Sequence, residues 1–296
     1  MAPYQETKFS HMPQQSVLPR GRATRFILGF FTVALLSSCG SALADASGGD
    51  LRAAVQNPIS SLYSLPFKFQ FDYGADNGEA SFLNIQPVLP VTFGEWNFVN
   101  RIIAPLIDTP GQVTGIPSLP DPIPGDGATG LGDINYSLFL SPVKTGKVIW
   151  GAGPSITMPT ATDRQLGSAK WSAGPTLVLL TQPKWGSMGI LLRQLWSFAG
   201  DSDRNEVSQF LVEPFVNYNL DNGWFLISDS VLTANWRADS GNQWTVPVGG
   251  GVGRVFKLGN QAINSRLEAY YNVVRPRRRA GLADRLYLAV LVSEIR

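Results

Sequence analysis

The sequence predicts an all-β chain, an antiparallel transmembrane β-barrel of about twelve strands, with short periplasmic turns and longer external loops. Three observations lead there. Composition is 44% hydrophobic and only 16% charged, with 30 Gly and 21 Pro in 296 residues, which argues against coiled coils, helical bundles and acidic disorder. No apolar run reaches the roughly 18 residues of a membrane-spanning helix. The mean hydropathy of +0.01 therefore comes from apolar residues interleaved with polar ones. Segments of about ten residues alternate with period two between turn residues, as strands with one apolar face do.

Residues 1–44 read as a secretory signal peptide. Arg20, Arg22 and Arg25 precede the apolar stretch from Phe26 to Leu36, and small residues end in Ala42-Leu43-Ala44. The segment Leu36-Ser37-Ser38-Cys39-Gly40 also fits a lipoprotein site, at which Cys39 would be lipidated, so the cleavage point stays open between the two. The single His, His11, and the single Cys, Cys39, both lie in this leader. The chain after the leader has no imidazole and no thiol, which excludes disulfides, Cys/His metal sites, Ser-His-Asp triads and Cys nucleophiles.

Residues 45–65 form an N-terminal periplasmic arm. Leu51, Val55, Ile59, Leu62 and Leu65 recur at roughly helical spacing around Pro58, so the arm is either a short plug helix at the barrel mouth or a disordered lead-in. The barrel proper is predicted over 66–296, with strands near 66–73, 81–91, 95–104, 132–141, 147–158, 170–181, 185–197, 206–219, 223–235, 243–256, 262–273 and 285–295. Connections after even-numbered strands are short. Those after odd-numbered strands are longer, among them Pro105 to Leu131, which is rich in Pro and Gly and either stays outside or folds inward over the pore.

The parity is clearest late in the chain. Asn264, Arg266, Glu268, Tyr270 and Asn272 share one face, and Ile263, Leu267, Tyr271 and Val273 the other. Trp224 and Trp236 bracket an apolar stretch, and their spacing on a tilted strand rising about 3.3 Å per residue carries them across roughly a bilayer core. A soluble β-sandwich with buried Trp is the weaker alternative. Pro87, Pro90, Pro154, Pro175, Pro214 and Pro247 fall inside strands and are expected at bulges or rims, because proline removes a ladder donor. The repeat Trp150-Gly-Ala-Gly-Pro154 and Trp171-Ser-Ala-Gly-Pro175 spans one strand-plus-connection unit.

Several blocks carry a family resemblance: Asn57-Pro-Ile-Ser-Ser-Leu62, Leu83-Asn-Ile-Gln-Pro87, Gly130-Leu-Gly-Asp133, the Trp150 repeat, Pro159-Thr-Ala-Thr-Asp163, Lys170-Trp171, Trp196-Ser197 and Trp244-Thr-Val-Pro247. In this order they resemble the bacterial outer-membrane proteins of the phenol-degradation meta-pathway, transporter-like family, often catalogued as neuromedin U. The resemblance implies an outer-membrane barrel that passes small molecules, aromatic ones among them, and it brings no catalytic residues. Two departures stand out. Arg193-Gln194 occupies the place of an expected Asn-His pair before Trp196-Ser197, and the chain ends Ser293-Glu294-Ile295-Arg296 without the terminal aromatic of barrel-assembly signals.

If apolar faces meet lipid, the alternate faces put Lys68, Gln70, Asp72, Arg101, Asp133, Lys170, Glu213, Asn217, Asp229, Arg266, Glu268 and Arg285 in the lumen. These side chains either touch solute or close an internal ion-pair network, and their mixed signs predict no strong ion selectivity. Arg275, Arg277, Arg278 and Arg279 form one external cluster, which either contacts lipopolysaccharide phosphates or is simply solvated. No spacing singles out a catalytic carboxylate pair among Glu213, Asp229 and Glu268, so the chain reads as a non-enzyme with no metal or cofactor. Expected partners are outer-membrane lipid, lipopolysaccharide, a small solute and the barrel-assembly machinery, with no nucleic acid. The oligomeric state is open. The function predicted is passive passage of small molecules, and the rival is a closed structural barrel that binds a partner through its external loops.

Overall fold

The computed structural model describes residues 48–75, 78–110, 126–259, 261–276 and 281–292. Residues 1–47 with Cys39, most of the segment after Pro110, Arg277 to Arg279 and the last four residues lie outside the described residues. One helix comes first, α1 (Gly48–Gln56). Fifteen strand segments come after it: β1 (Tyr63–Ala75), β2 (Gly78–Ile85), β3 (Val88–Phe93), β4 (Trp96–Thr109), β5 (Ala128–Leu131), β6 (Ile134–Pro142), β7 (Ile149–Met158), β8 (Lys170–Thr181), β9 (Gly186–Gly200), β10 (Ser208–Asn219), β11 (Trp224–Asp229), β12 (Leu232–Asn235), β13 (Trp244–Leu258), β14 (Gln261–Val274) and β15 (Leu282–Val292). Among the described residues no helix is long and apolar enough to cross a membrane.

The segments fill twelve wall positions of a closed antiparallel barrel. Pairing runs in chain order, β15 returns to β1, and β9 with β10 completes the ring. Three positions are split. β2 and β3 share one, β5 and β6 a second, and β11 and β12 a third. The ends of the predicted 105–131 loop are therefore strand: Leu106 to Thr109 pair with Leu131 to Ala128.

Parity sets the two faces. On β14, Asn264, Glu268, Tyr270 and Asn272 are buried while Leu267, Tyr271 and Val273 are exposed. The eight tryptophans divide by end. Trp96, Trp150, Trp185 and Trp224 lie at the short turns, and Trp171, Trp196, Trp236 and Trp244 at the long connections. All but Trp244 are exposed, and Trp244 packs edge-on against Trp236 at 5.5 Å. Two aromatic girdles around an apolar band are what a bilayer with two interfaces selects.

The prolines part from expectation in place. Pro87 separates β2 from β3, and Pro247 sits at a register shift. Pro214 is mid-strand, opposite Ile190 of β9 on one side and, on the other, at the gap between the β12 partners, which end at Val212, and the β11 partners, which begin at Phe215. Pro154 and Pro175 are not at a rim: they face each other across β7 and β8. On the outer sides of that pair the β6–β7 ladder skips from Ser137↔Ser155 to Leu140↔Ala152, and the β8–β9 ladder from Ala173↔Trp196 to Thr176↔Arg193. The preceding glycines make this fit, because a Cβ on Gly153 or Gly174 would lie 2.0 Å from the carbonyl oxygen of Leu138 or Gln194.

The arm fills the short-turn end. Arg52 Nη1 donates to the carbonyls of Leu220 (2.7 Å) and Trp224 (3.2 Å), Gln56 Nε2 to Asn219 Oδ1 (2.9 Å), and Gln182 Nε2 to the carbonyl of Ala53 (2.6 Å). Leu51 packs with Phe225, Ile227, Val255 and Ala262. Beyond the helix, Ile59 is 2% exposed among Val99, Phe139, Val178, Leu180, Leu191 and Leu211. Burying such a side chain stabilises by about 1.5–3 kcal/mol. Inward positions near this end are thus apolar, where simple alternation would make the whole lumen polar.

Candidate functional site

Among the described residues the lumen holds at least two cavities. One of about 120 Å³ lies toward the arm and touches Ala54, Pro58 and Asn264. The other, about 200 Å³, extends toward the long loops past Asn135, Gln209 and Thr233. Lys68, Arg101, Glu213, Asp229 and Arg266 border both, so a charged waist stands where they meet.

Half of this waist is tightly paired. Arg266 Nη1 is 3.2 Å from Asp229 Oδ2, Arg266 Nε 3.4 Å from Glu268 Oε1, and Arg285 Nη1 3.4 Å from Asp229 Oδ1. The Tyr270 hydroxyl, on a residue 1% exposed, lies 2.8 Å from Glu268 Oε2 and 3.1 Å from Asp229 Oδ1 and accepts from the Asp229 N–H at 2.9 Å. Arg285 also donates to the Asp229 carbonyl at 3.2 Å, and its guanidinium lies 4.4 Å from the Tyr270 ring centre. Asp229 ends β11 at the break before β12, so its backbone groups leave the ladder and these side chains satisfy them.

The opposite side is built differently. Arg193, on β9, reaches across to β6 and donates from Nη1 to Asn135 Oδ1 at 2.8 Å. Arg101 Nη2 donates to Gln86 Oε1 at 3.3 Å. Both guanidinium groups face the larger cavity, whose apolar lining includes Ile103, Leu191 and Leu211. Gln70 and Asp72, joined at 2.8 Å, also line it, while Asn217 lines the smaller cavity and donates to Ser187 at 2.9 Å.

Two predicted lumen residues do structural duty at the long-loop end. Asp133 touches the larger cavity and anchors the 161–168 segment, accepting from the Ser168 N–H (2.7 Å), the Ser168 hydroxyl (2.8 Å) and the Ala161 N–H (3.2 Å). Burial pushes its carboxyl up against the pull of those donors. Lys170 lines neither cavity and pairs with Glu206 at 3.1 Å. Arg275 is exposed beyond β14.

Glu206 also accepts from the Ser197 hydroxyl, and that bond, followed by Lys170, holds its carboxyl below the ordinary 4.5. An acid with a lowered folded value contributes stability that is present above its unfolded value and lost as the pH falls through the folded one. The protection factors of amides in residues 201–207, from which the intrinsic pH dependence of exchange is removed, are therefore expected to hold steady from about pH 7 to about pH 5 and to fall only below the usual carboxylate range. Loss of protection already by pH 5 would assign the clasp to other groups.

Sequence reasoning placed most of the waist, because parity marks inward positions. It missed Arg193 and left Tyr270 without a role. Arg193 shares inward parity with Leu191 and Leu195, and that was the available signal.

A closed ring of twelve strands with an apolar outside, two tryptophan girdles and a side-chain-lined lumen defines a transmembrane β-barrel. Among solved structures, the chain is similar in fold to the COG4313 outer membrane channel from Pseudomonas putida F1, with a TM-score of 0.55 over 80% of this chain and 97% of that one at 13% identity. The CymD monoaromatic hydrocarbon channel (TM-score 0.43, 11% identity, 87% of this chain and 95% of that one) and the Salmonella typhi outer membrane phospholipase OMPLA (0.40, 10%, 85% and 100%) match less well. Likeness at such identities shows the fold alone. No protein-family model matches the chain, and no curated protein does.

Proposed function

We propose that the chain is an outer-membrane channel for passive passage of small molecules, aromatic and hydrophobic ones among them. The observation that carries this is the pair of cavities meeting at Lys68, Arg101, Glu213, Asp229 and Arg266 inside a barrel with an apolar outer band. The fold of the Pseudomonas channel supports the reading, and so do the residue blocks that resemble the phenol-degradation transporter-like family. On this reading residues 1–44 are an export signal, the arm is periplasmic, and assembly uses the barrel-assembly machinery. Arg275, with the neighbouring arginines, meets lipopolysaccharide phosphate. The barrel is non-catalytic, since Asp229 and Glu268, the carboxylates drawn together on Tyr270, serve as ion-pair partners of Arg266 and Arg285.

One observation favours the rival, a closed barrel that binds a partner through its loops: Ile59 and α1 occupy the short-turn end. Planar-bilayer conductance separates the two readings. The full protein is expected to give small or rare steps, and a variant lacking residues 48–62 larger and steadier ones. Silence in both, with folding verified by heat-sensitive gel mobility, would overturn the channel.

A further inference from the structure

The charges of the waist are not evenly matched around the lumen. On one wall, Arg266 and Arg285 are answered by Asp229 and Glu268 within 3.4 Å. On the other, Arg101 and Arg193 form no ion pair among the described residues, and each spends one donor on a neutral amide oxygen. A guanidinium has five N–H donors in a planar fork, so most of theirs remain to be used. The two arginines lie close enough to repel one another, and Glu213, the acid near Arg193, acts on Lys68 as well, so it is shared among cations. Among the described residues neither guanidinium has a carboxylate within ion-pair distance at this partly desolvated place, where a cation without a close counter-charge is costly.

The space beside these arginines is apolar as well as positive. Ile103 and Ile107 from β4, Leu191 and Leu195 from β9, and Leu211 from β10 line the same cavity. Its volume of about 200 Å³ suits one ring-sized molecule, since a cavity of roughly 150 Å³ holds benzene. An inorganic anion would answer the charge and leave the apolar walls without a partner. A neutral hydrocarbon would fill the walls and leave the arginines unanswered.

We propose that the larger cavity is a binding site for a small organic monoanion, a ring or short apolar body carrying one carboxylate held between Arg101 and Arg193. This deepens the channel reading and rests on it for its biological sense: the solute passed would be an amphipathic carboxylate rather than a bare hydrocarbon. Planar two-point hydrogen bonding to carboxylate is what arginine offers and lysine does not, so the site selects by charge and by shape together.

The test uses the refolded full-length protein in detergent micelles, with calorimetric titration of benzoate, benzyl alcohol and sodium chloride. Benzoate is expected to bind about 10- to 100-fold more tightly than benzyl alcohol, the range that charge-assisted hydrogen bonds supply. Arg101→Gln and Arg193→Gln should each weaken benzoate by about tenfold or more and leave benzyl alcohol unchanged. Arg193→Lys keeps the charge, guards against a folding artefact and should retain part of the benzoate affinity. Equal affinity for benzoate and benzyl alcohol, indifference of benzoate to both glutamine variants, or displacement of benzoate by equimolar chloride would each overturn the proposal. Because binding is read without transport, the two readings fail separately. Benzoate binding by a barrel that never conducts would remove the channel and keep the site, and conduction without benzoate binding would remove only the site.

Discussion

Replacing Asp229 with alanine is expected to destabilise the barrel by about 3–5 kcal/mol, the cost of taking one partner from a buried ion cluster. Asp229 accepts from both Arg266 and Arg285, so its loss leaves Arg285 without the carboxylate it contacts and takes from Arg266 one of its two carboxylates. The Tyr270 hydroxyl loses one of its two carboxylate neighbours. The substitution also falls where β11 stops, and the Asp229 N–H and carbonyl are held there by Tyr270 and Arg285, so the wall loosens beside the gap that Pro214 faces. Asp229→Asn keeps an acceptor and should cost less than the alanine. Urea unfolding of the refolded protein, followed by tryptophan fluorescence, measures both. A loss under about 1 kcal/mol for the alanine variant would show that the cluster does not brace the wall.

Leu267→Arg tests the other face. Leu267 is 60% exposed on β14, opposite Val252 on β13 and Leu286 on β15, within the apolar band. An arginine facing lipid near the midplane costs about 2–4 kcal/mol, and snorkelling reduces this only toward the interfaces. Three residues away, Asn264 is 4% exposed and borders the smaller cavity, so Asn264→Arg places the same charge inside the barrel, away from lipid. The fraction folded into lipid vesicles, read by gel mobility, is expected to fall sharply for Leu267→Arg and modestly for Asn264→Arg. Equal behaviour of the two would overturn the inside and outside assignment.

What was legible in the sequence was whatever repeats with period two. Outward Leu267 and inward Glu268 come from alternation, because a charge in lipid is costly and parity is therefore enforced at every strand. What was hidden depends on contacts between distant strands. That Pro154 and Pro175 face each other is a matter of register, and neither residue reveals it alone. The split of the predicted 223–235 strand at Asp229 is carried by Tyr270, some forty residues on, and by Pro214 on the preceding strand. The arm divided the same way. Helical spacing of Leu51, Val55 and Ile59 was visible, but the docking of Arg52 on the carbonyls of Leu220 and Trp224 was not, since backbone acceptors leave no trace in residue type. Lys170 had the right parity and the wrong depth, at the first residue of β8, where Glu206 from the β9–β10 connection takes it.

The reach of that arm orders events in time. Its side-chain hydrogen bonds to the wall join residues 129 to 172 positions apart, and every partner lies in or at the edge of the β8–β9 or β10–β11 turn. The surface it docks on therefore does not exist until those hairpins have formed and come together, and contacts of such sequence separation are the slow ones. A nine-residue helix has too little intrinsic stability to wait in helical form. The first segment of the barrel chain thus takes its shape only after those later hairpins, and its coil-to-helix transition reports from inside the molecule that this part of the wall is in place.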